Sequence, residues 1–185
     1  MDTSILDKAI IFATHAHSGM NRKGKTLPYI VHPLEAAAIV ATITSDQELL
    51  AAAVLHDVVE DTDTTIDQLK EEFGERVAML VAADTNPPRK EGDTWRSRKE
   101  AAANRLLSVS TEAKMVAIGD KLSNLRAICF DYQAIGDELW HRFKAPDGRS
   151  DIAWYYRLLA NALSELAGTP PYEEFLQLLT KVFGD

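Results

Sequence analysis

The sequence predicts an all-α fold, a single-domain helical bundle. Three observations lead there. Apolar residues recur at helical spacing in nearly every segment, and no alternating run suggests a strand. Helix starts and stops (Ser, Thr or Pro before a segment, Gly after it) fall between those segments. The chain has 185 residues, 46% of them hydrophobic, which suits one domain, residues 1–185, with a core of its own.

The elements follow in order. Ile5 to Ala16 has helical spacing. The polar stretch "HSGMNRKGKTLPYIVH" reads as a loop closed by Pro33, whose fixed φ suits a first helical position, so a helix is expected from Pro33 to about Ile43. Ser45 and Glu48 spell the capping box S-x-x-E, opening a helix over 46–59. Thr65 is the expected N-cap, and Gly74 the stop, of a short helix, followed by another from about Glu75 to Ala83. Pro87, Pro88 and Gly92 make 85–94 a long loop. Helix resumes from about Thr94 to Val109, and Ser110 caps the long "TEAKMVAIGDKLSNLRAICFDY". A short helix near Asp137–Phe143, one over 151–167 capped by Ser150, and a terminal "PPYEEFLQLLTKVFG" complete the reading. The motif-bearing core spans about 5–130, and the C-terminal helices about 134–183.

Composition excludes some function classes. A net charge of −8 argues against non-specific nucleic-acid binding, which depends on neutralising phosphates. A small anionic ligand needs only a local cationic patch. Cys129 is the single cysteine, so a disulfide framework is excluded and a reducing compartment fits. "MDTSILDKAI" lacks the basic and apolar regions of a signal peptide, and no apolar run reaches the ~18 residues of a membrane span. A cytoplasmic location, with no membrane partner, is expected.

The stretch "LHDVVEDTDTT" carries the chemistry. His56 and Asp57 end the apolar run "ELLAAAVL", and Glu60 and Asp61 follow one turn later on the same sides. Neighbouring helical residues point ~100° apart, so His56 and Asp57 converge on one ion only where the helix ends. Surface carboxylates after a helix are ordinary, but clustered carboxylates beside a buried run repel unless a cation joins them. Two other residues qualify as ligands. His32 precedes Pro33, where it could equally make a helix-end contact. Asp120 lies among Val116, Ile118, Leu122 and Leu125, where a salt bridge to Lys121 or Lys114 is the weaker reading. Two histidines and two aspartates suit Mn²⁺, Fe²⁺ or Zn²⁺. His15, His17 and His141 lack this setting and read as surface or core. Cys129 reads as core. Trp95, beside Arg96, Arg98 and Lys99, is the aromatic best placed to close over a ligand. "WYY" and "FLQLL" offer apolar surface for a homodimer, which core packing explains equally well.

The order His32, His56-Asp57, Asp120 resembles the H…HD…D signature of the HD superfamily of metal-dependent phosphohydrolases. "RKGKTLPYIVHPLEAA" (22–37), "AAAVLHDVVEDTDTT" (51–65) and "GDKLSNLR" (119–126) resemble the hydrolase domain of RelA/SpoT homologues over residues 5 to 130. That resemblance implies an HD-type bundle and a stand-alone small alarmone hydrolase, removing the 3′-pyrophosphate of guanosine tetra- and pentaphosphate. It implies that His32, His56, Asp57 and Asp120 hold a single metal, usually Mn²⁺. It further implies that Glu60 and Asp61 activate water, that Arg22 and Lys23 line the nucleotide pocket, and that Asn124 contacts base or ribose. Gly119 stands where the family usually has Ala, and Ser123 where it has His. Those departures, with the unmatched segments around 86–99 and 130–156, keep open an HD phosphohydrolase acting on another nucleotide: on an adenosine analogue, as a 3′-phosphatase on NADPH, or as a broad nucleotidase. A nucleotide sensor without turnover is the other alternative, and the presence of Glu60 argues against it.

Overall fold

Local capping explains several of the helix boundaries in the computed structural model, which describes residues 3–184. Met1, Asp2 and Asp185, part of the expected 1–185 domain, lie outside the described residues. The helices are α1 (Ser4–Ala16), α2 (Val31–Val40), α3 (Gln47–Leu55), α4 (Val58–Asp61), α5 (Ile66–Phe73), α6 (Glu75–Asp84), α7 (Trp95–Ser108), α8 (Thr111–Ile135), α9 (Arg149–Ala162) and α10 (Pro170–Phe183). Two 3₁₀ segments, Gly136–Arg142 and Ser164–Leu166, flank α9. Among the described residues, the extended pairing is an isolated antiparallel bridge, Asn21 to Pro28, closing the loop between α1 and α2.

Thr65 caps α5 as expected: its hydroxyl accepts the Gln68 N–H (3.2 Å), and the Gln68 side chain accepts the Thr65 N–H (2.8 Å). Ser110 likewise caps α8 through the Ala113 N–H. Four expectations are corrected. First, Asp46, not Ser45, caps α3, accepting from the Glu48 and Leu49 N–H groups at 2.9 and 3.3 Å. Glu48 cannot fold back as a box partner because it pairs with Arg76 (2.6 Å). Second, α2 begins at Val31 and ends at Val40, since the Val31 and His32 N–H groups already donate to Pro28 and Tyr29 carbonyls. Pro33 is thus the third helical residue, where a missing N–H still costs nothing. Third, the helix expected over 46–59 is two helices, broken at His56–Asp57. Fourth, α9 starts at Arg149 after Gly148 (φ 49°), leaving Ser150 inside it, and stops at Ala162 because 164–166 tighten into a 3₁₀ turn. Asp151 holds that entry turn by accepting the Asp147 N–H (3.0 Å).

Two apolar clusters form the core. One is built around α1, α3, α5 and α6, with Leu49 to Leu55 wholly buried. A helix buried on every side needs no amphipathic pattern, which is why "LLAAAVL" looks uniformly apolar. The other joins α9 and α10 to the second half of α8. Helices α2 and α8 contribute to both: Ala37, Val40, Ala113 and Val116 on one side, Ile39, Ala117, Ile118, Leu122 and Leu125 on the other. Cys129, Tyr155, Tyr156, Phe175 and Leu179 are buried in the second cluster, so core packing accounts for the "WYY" and "FLQLL" apolar residues named here.

Gly119 sets the spacing of α2 against α8. A Cβ there would meet the Ala36 carbonyl oxygen at 2.7 Å and Val40 Cγ2 at 2.8 Å. The departure from Ala at this position therefore has a packing reason. Gly119→Ala gains about 1 kcal/mol of helix propensity but forces backbone apart in a packed core, a cost of about 1–3 kcal/mol. The expected result is net destabilisation by up to about 2 kcal/mol, read by chemical denaturation.

Candidate metal centre

The break in the helix at His56–Asp57 does what neighbouring helical residues cannot: it turns both side chains onto one point. His56 Nε2 lies 3.0 Å from Asp57 Oδ2. From α2, His32 Nε2 lies 3.3 Å from His56 Nε2 and 3.5 Å from Asp57 Oδ2. From α8, Asp120 Oδ1 lies 3.1 Å from His32 Nε2 and 3.6 Å from His56 Nε2. One ligand atom from each of the four falls within 4.8 Å of the others. His32, His56 and Asp120 are buried, and Asp57 is half-buried. The four residues expected from sequence are thus brought together by three elements.

Each histidine is oriented by its other nitrogen. His56 Nδ1 donates to the Ala53 carbonyl (2.8 Å). His32 Nδ1 bonds the Ser123 hydroxyl (2.8 Å), which donates to Glu35 (2.7 Å). Both Nε2 lone pairs therefore face the cluster, and at 3.3 Å two bare lone pairs repel. A metal ion or a proton relieves that repulsion. With no cation present, burial opposes charging His56, but Asp57 and Asp120 outweigh it and push its pKa well above the ordinary range. Burial likewise opposes ionising Asp57, while His56 and the bonds from His32 and His56 hold it far below the usual carboxylate range. A metal bound at such a site displaces any proton that its donors hold. Two imidazoles freed at Nε2 and two carboxylates form a donor set that fits a divalent first-row ion. The fit is to the class of ion.

Outer contacts tie the cluster to its surroundings. The Tyr29 hydroxyl donates to Asp57 Oδ2 (2.6 Å). Burial first, then Asp57 and Asp61, raise the Tyr29 pKa far above its ordinary value, so the phenol stays a donor. Asp120 also bonds the Lys121 ammonium and the Asn124 amide. The salt bridge to Lys121 read from sequence therefore exists alongside the cluster, and Lys114 pairs elsewhere, with Glu165 (2.6 Å). Lys121 also reaches Asp84 (3.3 Å).

Glu60 and Asp61 end α4 at the mouth of the cluster, both reaching solvent. Glu60 accepts the Asn86 N–H, and Arg105 holds the Asn86 side chain (3.1 Å), so the 85–94 loop is tied down where it leaves α6. Protein atoms crowding the Glu60 carboxylate raise its pKa, opposed by the Asn86 N–H and reinforced by Asp57. Asn124 is half-buried, and its oxygen accepts from Arg22 (2.7 Å), whose guanidinium lies 5.6 Å over the Tyr29 ring. Lys23 is exposed on the same loop.

Trp95 lies in a cluster of aromatic rings. It packs on Trp154 and Tyr155, at 6.5 and 6.2 Å, because Arg96 anchors the start of α7 to Asp151 on α9 (2.9 Å). Lys99 sits closer to the chemistry: burial lowers its pKa, and its charge is felt by Lys121, Asp120 and Glu60. His17, set aside on sequence, is buried against the Tyr29 ring (4.8 Å). Tyr29, Ser123 and Glu35 had no sequence signal as orienting groups, because each acts through a contact distant in the chain. His15 and His141 are exposed, as their settings suggested.

Ser123, where the family usually has His, carries a second expected outcome. Losing the outer partner of a ligating histidine costs about 10–100-fold in metal affinity. Ser123→Ala should weaken metal binding by that amount, read by titration against a chelator.

The HD domain family profile matches residues 9–140. A guanosine-3′,5′-bis(diphosphate) 3′-pyrophosphohydrolase of Aquifex aeolicus is 37% identical over 127 residues, covering 66% of this chain but 18% of that protein. The chain therefore spans less than a fifth of that long relative. The guanosine-3′,5′-bis(diphosphate) 3′-pyrophosphohydrolase MESH1 of Danio rerio is 34% identical over 185 residues, covering 96% of this chain and 93% of the fish protein. The solved structure of a metazoan orthologue of SpoT, described as hydrolysing ppGpp, superposes with a TM-score of 0.76 at 25% identity, covering 98% of this chain and 96% of that one. Among the described residues no helix is long and apolar enough to cross a membrane. With the profile spanning most of the chain and the His–Asp cluster assembled inside it, this protein belongs to the HD domain family.

Proposed function

We propose that this chain hydrolyses the 3′-pyrophosphate of guanosine tetra- and pentaphosphate, giving GDP or GTP and pyrophosphate, with one divalent ion, Mn²⁺, as cofactor. The observation that carries this reading is the cluster of His32, His56, Asp57 and Asp120, with the acids Glu60 and Asp61 on the helix that follows it and an anchored arginine. The similarity to relatives named for that reaction, over nearly the full length of the fish protein, supports it. Residues 1–185 act in this reading as one HD unit.

His32, His56, Asp57 and Asp120 would hold the metal, which supplies Lewis-acid charge and a more acidic water when bound. Glu60 accepts a proton from the attacking water, and Asp61 orients that water. The bond broken joins the ribose 3′-oxygen to the nearer phosphorus. Arg22 and Lys23 bring positive charge to the phosphates, with Arg22 fixed in place by Asn124 and Tyr29. Tyr29 holds Asp57, and the Ser123–Glu35 pair holds His32, so the cluster is preorganised.

Purified protein is incubated with guanosine tetraphosphate and Mn²⁺, with and without EDTA, and the products are separated by anion exchange. GDP and pyrophosphate, abolished by EDTA, are expected. No turnover by metal-loaded protein would overturn the substrate assignment. Orthophosphate release from NADPH in its place would identify the alternative nucleotide.

A further inference from the structure

We infer that Lys25 and Arg142 form a second anion site, which receives the 5′-phosphates of the nucleotide while the His–Asp cluster holds its 3′ end. The inference rests on the proposed reaction and extends it to the choice among nucleotides by their 5′ charge.

Helix α8 lays the two sites out along one face. Asp120, Asn124 and Asp131 are separated by four and seven residues, so they share that face. Each engages a group from outside the helix. Asp120 faces His32 (3.1 Å), Asn124 holds Arg22 (2.7 Å), and Asp131 holds both Lys25 (2.7 Å) and Arg142 (3.1 Å). Asp131 lies about 16 Å along the axis from Asp120, at 1.5 Å per residue. Long side chains at the far end shorten that span. The result is a row of cations running outward from the cluster, the order a nucleotide phosphorylated on both sides of its ribose requires.

The far pair is not a simple surface ion pair. Two cations on one carboxylate leave a net positive charge. Asp131 is 17% exposed, and Lys25 and Arg142 are about one-third exposed, at 31% and 33%. The geometry of the pair is also fixed from both sides. The loop turns sharply at Gly24 (φ 72°), the Lys25 N–H donates to the Arg22 carbonyl (3.0 Å), and a Cβ on Gly24 would lie 3.5 Å from Arg142 Cδ. The loop backbone thus rests on the arginine. Arg142 ends a 3₁₀ segment pinned by Trp140, whose indole N–H donates to Asp137 (2.9 Å) and whose ring packs on Tyr132, Phe143 and Phe183. A planar guanidinium held this way can take two phosphate oxygens at once, with the ammonium beside it as a point charge.

The test uses Lys25→Met, Arg142→Gln, their combination, and Arg142→Lys, each in a Glu60→Gln background loaded with Mn²⁺. Calorimetric titration compares guanosine 5′-diphosphate 3′-diphosphate with guanosine 5′-monophosphate 3′-diphosphate. The parent should prefer the tetraphosphate at least tenfold. Each neutral substitution should cut that preference at least threefold, the pair should bring the two affinities within twofold, and Arg142→Lys should keep most of it. A double variant with the parent's melting temperature and the parent's preference overturns the inference, as does a parent with no preference. Hydrolysis is followed in parallel with Glu60 intact. Absent turnover with a collapsed preference removes the reaction assignment and keeps the anion site; absent binding of both nucleotides removes both.

Discussion

Glu60→Gln is expected to lower kcat by about 10²–10⁴-fold, the usual contribution of a positioned general base, and to leave KM within a few-fold. The substitution isolates one property. Glutamine keeps the length of the side chain and an oxygen able to accept the Asn86 N–H, so the tie to the 85–94 loop survives. It cannot take a proton from water. A fall in kcat with KM preserved is the signature of an interaction made only in the transition state. If Glu60 served instead to anchor the loop, Gln would substitute well and kcat would stay within a few-fold. Asp61→Asn is the companion variant. Asp61 lies beside the Tyr29 hydroxyl and is not tied to the loop by any contact found among the described residues. A larger loss there than at Glu60 would move the base to Asp61. Single-turnover rates at saturating Mn²⁺ read both variants.

The His–Asp cluster was legible because three short motifs carry its four residues in order, and a motif survives any error about helix ends. The helix break at His56–Asp57 was not legible as a break. Its need was: two adjacent helical residues cannot share an ion unless the helix stops between or beside them. Caps were read correctly where one hydroxyl had one purpose, at Thr65 and Ser110. They were misread at Ser45, because Asp46 gains both the helix N–H groups and a salt bridge to Arg76 (2.8 Å), a residue 30 positions away. The same distance in sequence hid the orienting groups. Ser123 bonds His32 from 91 residues away and Glu35 from 88, and only the close approach of α2 to α8 at Gly119 makes one relay of them. The setting of Trp95 was hidden for a related reason. Its basic neighbours suggested a ligand, but one of them, Arg96, is committed to Asp151 and to the Trp154 ring (4.7 Å).

Asp120→Asn should abolish hydrolysis and, more tellingly, abolish the stabilisation conferred by Mn²⁺. In the native protein, metal at about a hundred times its Kd adds about 2.7 kcal/mol to folding stability. For a domain of this size each kcal/mol shifts Tm by about 2–4 °C, so an increment of about 5–10 °C over the EDTA sample is expected. Absolute Tm values do not decide the matter. Asp120 is buried and bonded to Lys121, and breaking a buried pair costs about 3–5 kcal/mol whether or not a metal is involved. Lys121 keeps only Asp84, at 3.3 Å, among the acid partners found in the described residues. The variant will therefore melt lower than the native protein in EDTA under either reading. What separates the readings is the difference between the Mn²⁺ and EDTA samples of the same variant. If Asp120 is a ligand, that difference falls to near zero in Asp120→Asn, while Lys121→Met, which removes the partner and keeps the ligand, retains it. If Asp120 is only a salt-bridge partner, the two variants lose stability alike and gain the same increment from Mn²⁺ as the native protein, and the metal belongs elsewhere.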